Sequence, residues 1–291
     1  MKPLARESVC VVAILRDELP FLHEWLSYHR ILGVDHFILY DDDPALPLKA
    51  FVAPHASYVT VVDWHGKSSA LPGRNRQTKA YLDALPRMAP GTKWVSYIDG
   101  DEFIVLGKHP TIQAFLADLT DMEAVSLNWH CFGNNGFVRD PTDLVISSLT
   151  RRALRPSPRH KSITQVKAIA GIESAHSCVL APGSRWVDVN GRTFSDDLYP
   201  GKTDLAHVNH YMCRSFLRWM DKPGRGDVGY EGRVGTAMGP GNRWKLTRAG
   251  CLRAYLSHVL IEKHRLVDRD MLRYRQPVLD YLASMGLVRR T

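Results

Sequence analysis

No apolar run in this chain approaches the roughly 20 residues that a membrane-spanning helix needs, so no such helix is expected. The five cysteines, Cys10, Cys131, Cys178, Cys213 and Cys251, lie far apart without close pairs. That spacing argues against a zinc site or a disulfide framework and fits a reducing compartment. The N-terminal stretch Met1 to Glu18 is apolar only briefly and meets Arg16-Asp17-Glu18 with no small-residue cleavage pattern, so no secretory signal is expected either. The expected location is the cytoplasm, including the inner face of the membrane. Internal repeats and low-complexity tracts are missing as well, which leaves 291 residues for one large domain or a domain with an appendage.

Also missing is any tract of five or more Lys and Arg, although the chain carries 38 of them and a formal net charge of +8. With a pI of about 9.3, anionic partners are favoured. Nucleotide phosphates, nucleic acid and an anionic membrane all qualify, and so does a merely basic, soluble surface.

What the chain does have is an unusual stretch from Trp94 to Leu106, WVSYIDGDEFIVL. An apolar run ends in Asp99, Asp101 and Glu102, and apolar residues resume at Phe103. Buried strands seldom end in clustered acid, because the carboxylates repel and need a cation or hydrogen bonds. Hard oxygen donors at the carboxyl end of a strand suit Mg²⁺ or Mn²⁺, ions that commonly accompany nucleotide phosphates.

Around this stretch the pattern alternates. Ser8 to Leu15 is a continuous β-branched run, expected to be a strand covered on both faces. A helix follows from Pro20, with apolar residues at helical spacing until Gly33. His36 to Tyr40 reads as a second strand ending in Asp41-Asp42-Asp43, and Tyr58 to Asp63 as a third. After the polar loop Gly66 to Arg74 comes a helix carrying Gln77, and then Trp94 to Leu106 as the fourth strand. Such alternation predicts a parallel, doubly wound α/β sheet with ligands outside the carboxyl ends of its strands. Further on, Thr111 to Leu119 reads as helix, Ala124 to Trp129 as strand, and Phe132 to Gly136 as a Gly/Asn turn. Arg151 to Lys161 is expected as an exposed basic loop, Ser162 to Ile169 and His176 to Leu180 as short strands. Asp204 to Tyr211 alternates like a strand, with His207 and Asn209 on one face and Val208 and His210 on the other. Arg214 to Met220 is expected to be helical, Lys222 to Asp227 a flexible stretch, Gly229 to Gly241 a Gly-rich loop, and Leu252 to Leu287 helical with a break at Pro277.

Four segments in this order, RDELPFLHEWLSYHRILGVDHFILYDDD, WVSYIDGDEF, WHCFGNNGF and NHYMCRSFLRWMDKPGRGD, resemble the family-2-type and family-92 glycosyltransferases. The resemblance covers about Val9 to Asp227. It implies a GT-A fold: a Rossmann-like, mostly parallel central sheet flanked by helices, here over residues 1–215. Within that span the nucleotide-binding half is expected at about 1–106 and the acceptor-side half at 107–215, with residues 216–291 forming the Gly-rich loop and a C-terminal helical extension. The resemblance also implies transfer of a sugar from a nucleotide-sugar donor, UDP-sugar favoured, to an acceptor hydroxyl, with Mn²⁺ or Mg²⁺ bridging the diphosphate. The acceptor is a saccharide, a lipid-linked sugar or a protein, and no specific nucleic acid is expected. Asp99 and Asp101 match the Asp-x-Asp pair, both counted as metal-binding and catalytic residues, with Asp101 the first choice of direct ligand and Asp99 also the partner of the donor's ribose or sugar. Arg16, Asp17 and Glu18 match the nucleotide-facing end of the first strand, where the family usually has Asn at position 17. Asp41 and Asp42 match the base and ribose contacts, Gln77 a recurrent Gln before the metal strand, and His210 a late metal-binding histidine that His207 rivals.

Transfer builds negative charge on the leaving phosphate, so cations must meet it, and Lys161 and Arg214 are the candidates beside the metal. An inverting reaction also needs a carboxylate base near the acceptor hydroxyl. Asp227 is the first choice, with Asp196, Asp197 and Glu231 as alternatives; a retaining reaction needs none. Trp129 reads either as a stacking platform for a sugar or as core. Two rival readings stand beside the transferase. Asp99 to Phe103 differs by one residue from the Gly-Gly-Asp-Glu-Phe signature of diguanylate cyclases, and the high pI suits a non-catalytic protein that binds nucleic acid or a membrane surface.

Overall fold

The structure is a computed structural model that describes residues 7–43, 47–65, 76–194, 201–221, 247–256 and 265–287. Strand β1 (Ser8–Leu15) leads into α1 (Leu19–Ile31), which carries Pro20 in its first turn, where a missing N–H costs nothing. The chain leaves α1 at Gly33, whose φ of +106° and tight fit against Gln113 exclude a side chain. Next come β2 (His36–Asp41), α2 (Leu48–Phe51), β3 (Val59–Asp63), α3 (Arg76–Ala84), β4 (Thr92–Tyr97) and β5 (Glu102–Leu106). The second half contributes α4 (Ile112–Ala117), β6 (Ala124–Cys131), α5 (Val145–Ser148), β7 (Arg151–Arg152), β8 (His160–Gln165), β9 (Ile169–Ile172), β10 (Cys178–Leu180), β11 (Trp186–Val187) and β12 (Ala206–His210). Short α6 (Phe216–Met220) and α7 (Arg248–Ala254), β13 (Leu266–Val267) and α8 (Arg275–Ser284) complete the described chain.

Nine strands form the central sheet, in the order β3-β2-β1-β4-β8-β6-β12-β5, with β11 beside the start of β6. β1, β2, β3 and β4 are mutually parallel, and β6 and β12 run the same way; β8 and β5 are antiparallel to their neighbours. The expected mostly parallel α/β sheet is therefore present. Leu15 pairs with Asp41 and Asp41 with Asp63, so the first three strands end on one edge, and Ile98 to Asp101 leave β4 on that same edge. Alternate residues of β1 enter two different cores. Val9, Val11, Ala13 and Leu15 pack with Phe21, Trp25 and Leu26 of α1, whereas Cys10, Val12 and Ile14 pack with Ala80, Tyr81 and Ala84 of α3. Cover on both faces is the reason its sequence runs apolar without alternation.

Three local expectations change. The Trp94 to Leu106 stretch is two strands rather than one, since Ile98 to Asp101 turn the chain out of β4 and β5 crosses to the far edge of the sheet. Arg151 to Lys161 is not an exposed loop throughout. Its start pairs as β7 with β13, and His160 and Lys161 are buried in β8, because charge can be buried where carboxylates wait for it. Pro277 does not break a helix: it lies in the first turn of α8, where proline is tolerated. The residues around that helix share the main core, with Met271, Val278 and Leu282 buried in it and the Tyr281 hydroxyl 3.3 Å from that of Tyr58.

Candidate active site

β5 ends the sheet, and its outer edge would leave backbone groups unpaired. Three side chains of α1 take them. Trp25 Nε1–H donates to the Glu102 carbonyl at 2.8 Å, the Tyr28 hydroxyl donates to the Ile104 carbonyl at 2.6 Å, and the Ile104 N–H donates to His29 Nε2 at 3.2 Å. His29 can accept only while neutral, and its burial pushes its pKa down to about 3. The helix thereby fixes the height of β5, and with it the turn Ile98 to Asp101 at its head.

Within that turn the carboxylates have separate partners. The Asp99 N–H donates to Glu102 Oε2 at 2.8 Å, a local bond that folds the acids around Gly100. A Cβ at Gly100 would lie 2.9 Å from Leu15 and 3.0 Å from Glu18, so a side chain there would have to push both aside. Asp99 accepts from Gln77 Nε2 at 2.7 Å and from Lys161 Nζ at 3.1 Å. Lys161 is only 1% exposed; it sits 3.3 Å from Glu102, itself 0% exposed, and also donates to the Ala175 carbonyl at 3.1 Å. Burial alone would discharge this ammonium, but Asp99 and Glu102 hold its pKa above the ordinary value. Burial likewise pushes Glu102 upward against the pull of Lys161.

Asp101 faces the other way. Its Oδ1 lies 3.5 Å from His210 Nε2, and its carbonyl accepts from the Tyr211 N–H at 2.8 Å, so the end of β12 holds it. Burial opposes a charge on His210, yet Asp101 raises its pKa to about 10. Trp129 is buried beside it, with ring centroids 4.4 Å from His210 and 5.1 Å from His176, which makes it a wall of this corner. His207 is turned away, its ring centroid 4.1 Å from that of His130 at an interplanar angle of 34°, and it is bonded to the Thr203 carbonyl at 3.0 Å.

Three of the remaining acids at the sheet edge, Asp42, Glu18 and Asp17, are matched by arginines. Asp42 pairs with Arg76, and Arg16 Nη2 lies 3.4 Å from its second oxygen. Asp41 accepts from the Asp43 and Leu48 backbone N–H groups. Glu18 pairs with Arg214 at 2.5 Å, and Arg214, 2% exposed, also donates to the Gly100 carbonyl at 2.9 Å. Its guanidinium thus clamps the acid turn from below. Asp17 has φ +57°, a left-handed conformation that Asn and Asp tolerate better than other side chains, and its carboxylate takes Arg218 at 2.9 Å. The backbone demand at position 17 explains why Asp can stand where the resembling family has Asn.

The structure thus brings Asp99, Asp101, Gln77, Lys161 and His210 together, and sets Arg16, Asp41 and Asp42 along the same edge. Asp227, Asp196, Asp197 and Glu231 lie outside the described residues, as do the Gly-rich stretch Gly229 to Gly241 and the loop Gly66 to Arg74. Among the described residues no three His, Cys, Asp or Glu side chains converge as a ready metal cage, and Asp99 faces Gln77 and Lys161. Asp101 and His210 still fit a divalent ion. A metal that travels with substrate phosphates needs only one or two protein ligands, and a carboxylate with an imidazole suits Mn²⁺. Metal there would need the neutral form of His210. The Gly/Asn segment reads as a tight turn, with Asn135 at φ +52° and Gly136 at +84° with open space around it.

Sequence reasoning missed Trp25, Tyr28 and His29 as edge-capping groups, because their helical spacing reads simply as core. It also missed Tyr81, whose hydroxyl accepts from Gln77 at 2.8 Å, and Asp140, which binds Arg218. An i,i+4 Gln–Tyr pair was the available signal for the first.

A mostly parallel sheet carrying an Asp-Gly-Asp turn at its carboxyl edge is the architecture of a GT-A protein. Residues 6–211 match the glycosyltransferase family 92 model, and the chain belongs to that family. Its relatives include a glycosyltransferase family 92 protein of Oryza sativa subsp. japonica, 26% identical over 237 residues, and one of Ricinus communis, 25% identical over 217 residues. These alignments cover 79% and 70% of this chain but 36% and 35% of the relatives, so the chain spans about a third of the length of the curated relatives it matches. Among solved structures, glucosyl-3-phosphoglycerate synthase from Mycobacterium tuberculosis with phosphoglyceric acid overlaps 56% of this chain and 58% of its own, at a TM-score of 0.34 and 14% identity. The family match runs through Asp99 to Phe103 and removes that segment from the cyclase reading. No helix among the described residues is long and apolar enough to cross a membrane.

Proposed function

We propose that this chain transfers a sugar from a nucleotide-sugar donor, a UDP-sugar in the favoured case, to an acceptor hydroxyl, with Mn²⁺ or Mg²⁺ held by Asp101 and His210. The observation that carries this reading is the division of labour in the acid turn. Asp99 and Glu102 share the buried Lys161, while Asp101 stands with His210 at the mouth of the sheet edge, its side chain 22% exposed. When bound, the metal supplies positive charge to the leaving diphosphate. Lys161 fixes Asp99 so that its carboxylate presents one orientation to the donor's ribose or sugar, and Gln77 fixes it from the other side. Arg16, Glu18, Asp41 and Asp42 frame the part of the edge assigned to the nucleoside. Asp227 remains the proposed base for an inverting reaction. A cytoplasmic setting, with contact to the inner membrane surface through the basic C-terminal region, completes the proposal. A thermal-shift panel of UDP, GDP, CDP and dTDP, each with and without Mn²⁺, tests it: a rise in melting temperature with UDP that needs the metal is expected. If no nucleotide stabilises the protein under either condition, the reading is wrong.

A further inference from the structure

Beside the end of β1 lies a pocket of about 260 Å³, lined by Asp17, Arg139, Asp140, Ser215, Arg218 and Asp221. We propose that it is the acceptor subsite and that it takes an uncharged sugar unit; the acceptor assignment rests on the transferase reading above. The volume is below the roughly 300–1,000 Å³ of sites for drug-sized ligands, which suits a single sugar unit.

The polar groups are held in place before any ligand arrives. Arg218 donates through Nη1 to the Asp17 carbonyl and carboxylate, both at 2.9 Å, and through Nε to Asp140 at 2.9 Å. Ser215 Oγ donates to the other Asp140 oxygen at 2.7 Å. Fixed guanidinium and carboxylate groups side by side offer alternating donors and acceptors, the pattern that neighbouring sugar hydroxyls require. The charge count narrows the ligand further. Asp17, Asp140 and Asp221 outnumber Arg139 and Arg218, so within a chain of net charge +8 this pocket leans acidic and disfavours phosphates and uronic acids.

An apolar margin adjoins the polar lining. Backbone bonds from Phe216 to Phe137 and from Leu217 to Val138, at 2.9 and 3.0 Å, tie the Gly/Asn-turn exit to α6. Leu217, which also lines the pocket, is 39% exposed and gives the C–H face of a sugar ring a surface to lie on. The pocket also shares its support with the acid turn. Arg214 and Arg218 both lie over the Phe21 ring, 4.1 and 4.8 Å from its centroid, and Arg214 reaches Gly100.

The test is saturation-transfer NMR on the full chain without nucleotide. The probes are methyl β-glucoside, methyl β-galactoside and methyl α-mannoside, with glucose 6-phosphate and glucuronic acid as charged counterparts. At least one neutral glycoside should give a signal that the charged sugars do not, and Arg139→Ala with Asp221→Asn should reduce it at least threefold. The same double variant should keep the wild-type thermal shift with UDP and Mn²⁺. Silence from all three glycosides, equal or stronger signals from the charged sugars, or an undiminished signal in the double variant would overturn the proposal. A wild-type protein that binds a glycoside but shows no shift with any nucleotide and Mn²⁺ would count against the transferase reading alone.

Discussion

Lys161 is the residue whose environment departs furthest from its sequence context. In a chain with 38 Lys and Arg, a lysine at the end of an arginine-rich stretch reads either as a cation for the leaving phosphate or as a solvated surface charge. Instead it is buried between two carboxylates, and removing it would strand both in the interior. Lys161→Met should therefore cost about 3–5 kcal/mol in urea unfolding, and adding Glu102→Gln should recover part of that loss. If the single variant unfolds at the wild-type midpoint, the buried triad is wrong. His29 makes a second prediction at this scale. Its folded pKa of about 3 lies below the ordinary 6.5, so the unfolded chain binds more protons between those values. The stabilisation is complete above pH 6.5 and is lost as pH falls toward 3, by about 2 kcal/mol for this one group at pH 5. Urea midpoints measured from pH 7.5 to 5 should fall for the wild type and fall less steeply for His29→Gln. The sequence gives no sign of either burial, because both depend on partners distant along the chain, with Asp99 62 residues from Lys161 and Ile104 75 from His29.

At the scale of elements, α1 and β5 act as one device. The helix reads from sequence as an amphipathic core helix, and that much is legible: Pro20 at its start, Gly33 at its end and apolar residues at helical spacing between. Its second task, satisfying the outer edge of β5, is not, because pairing of β5 with β12 rather than with β4 follows from topology. Tyr28→Phe should leave the Ile104 carbonyl unsatisfied and cost about 1–3 kcal/mol, with amide exchange of β5 accelerating before that of β1. Uniform loss of protection across both strands would contradict the edge-capping role. The acid turn itself was visible in the sequence as carboxylates interrupting an apolar run. Its partners were half visible. Gln77 and His210 stand out once the family resemblance is noted, whereas Arg214 as a clamp under Gly100 depends on a contact 114 residues apart.

For the molecule as a whole, the alternation of strand and helix over the first hundred residues was enough to expect a parallel sheet with acids gathered at one edge. The antiparallel insertion of β8 and the migration of β5 to the far side were not readable, since short strands after residue 120 carry too little pattern to fix their neighbours. What the whole sheet achieves is a single edge where Arg16, Asp41, Asp42, Asp99, Asp101 and His210 meet, with Asp42 already matched by arginine and Asp99 by lysine. Asp101 with His210 is left as the pair assigned to the metal. The most direct check is calorimetric titration of UDP into the wild-type chain and into Asp101→Ala, with Mn²⁺ and with EDTA. Binding by the wild type only with Mn²⁺, weakened at least tenfold in Asp101→Ala, is the expected result; equal affinity in the two proteins, or binding indifferent to EDTA, would contradict it.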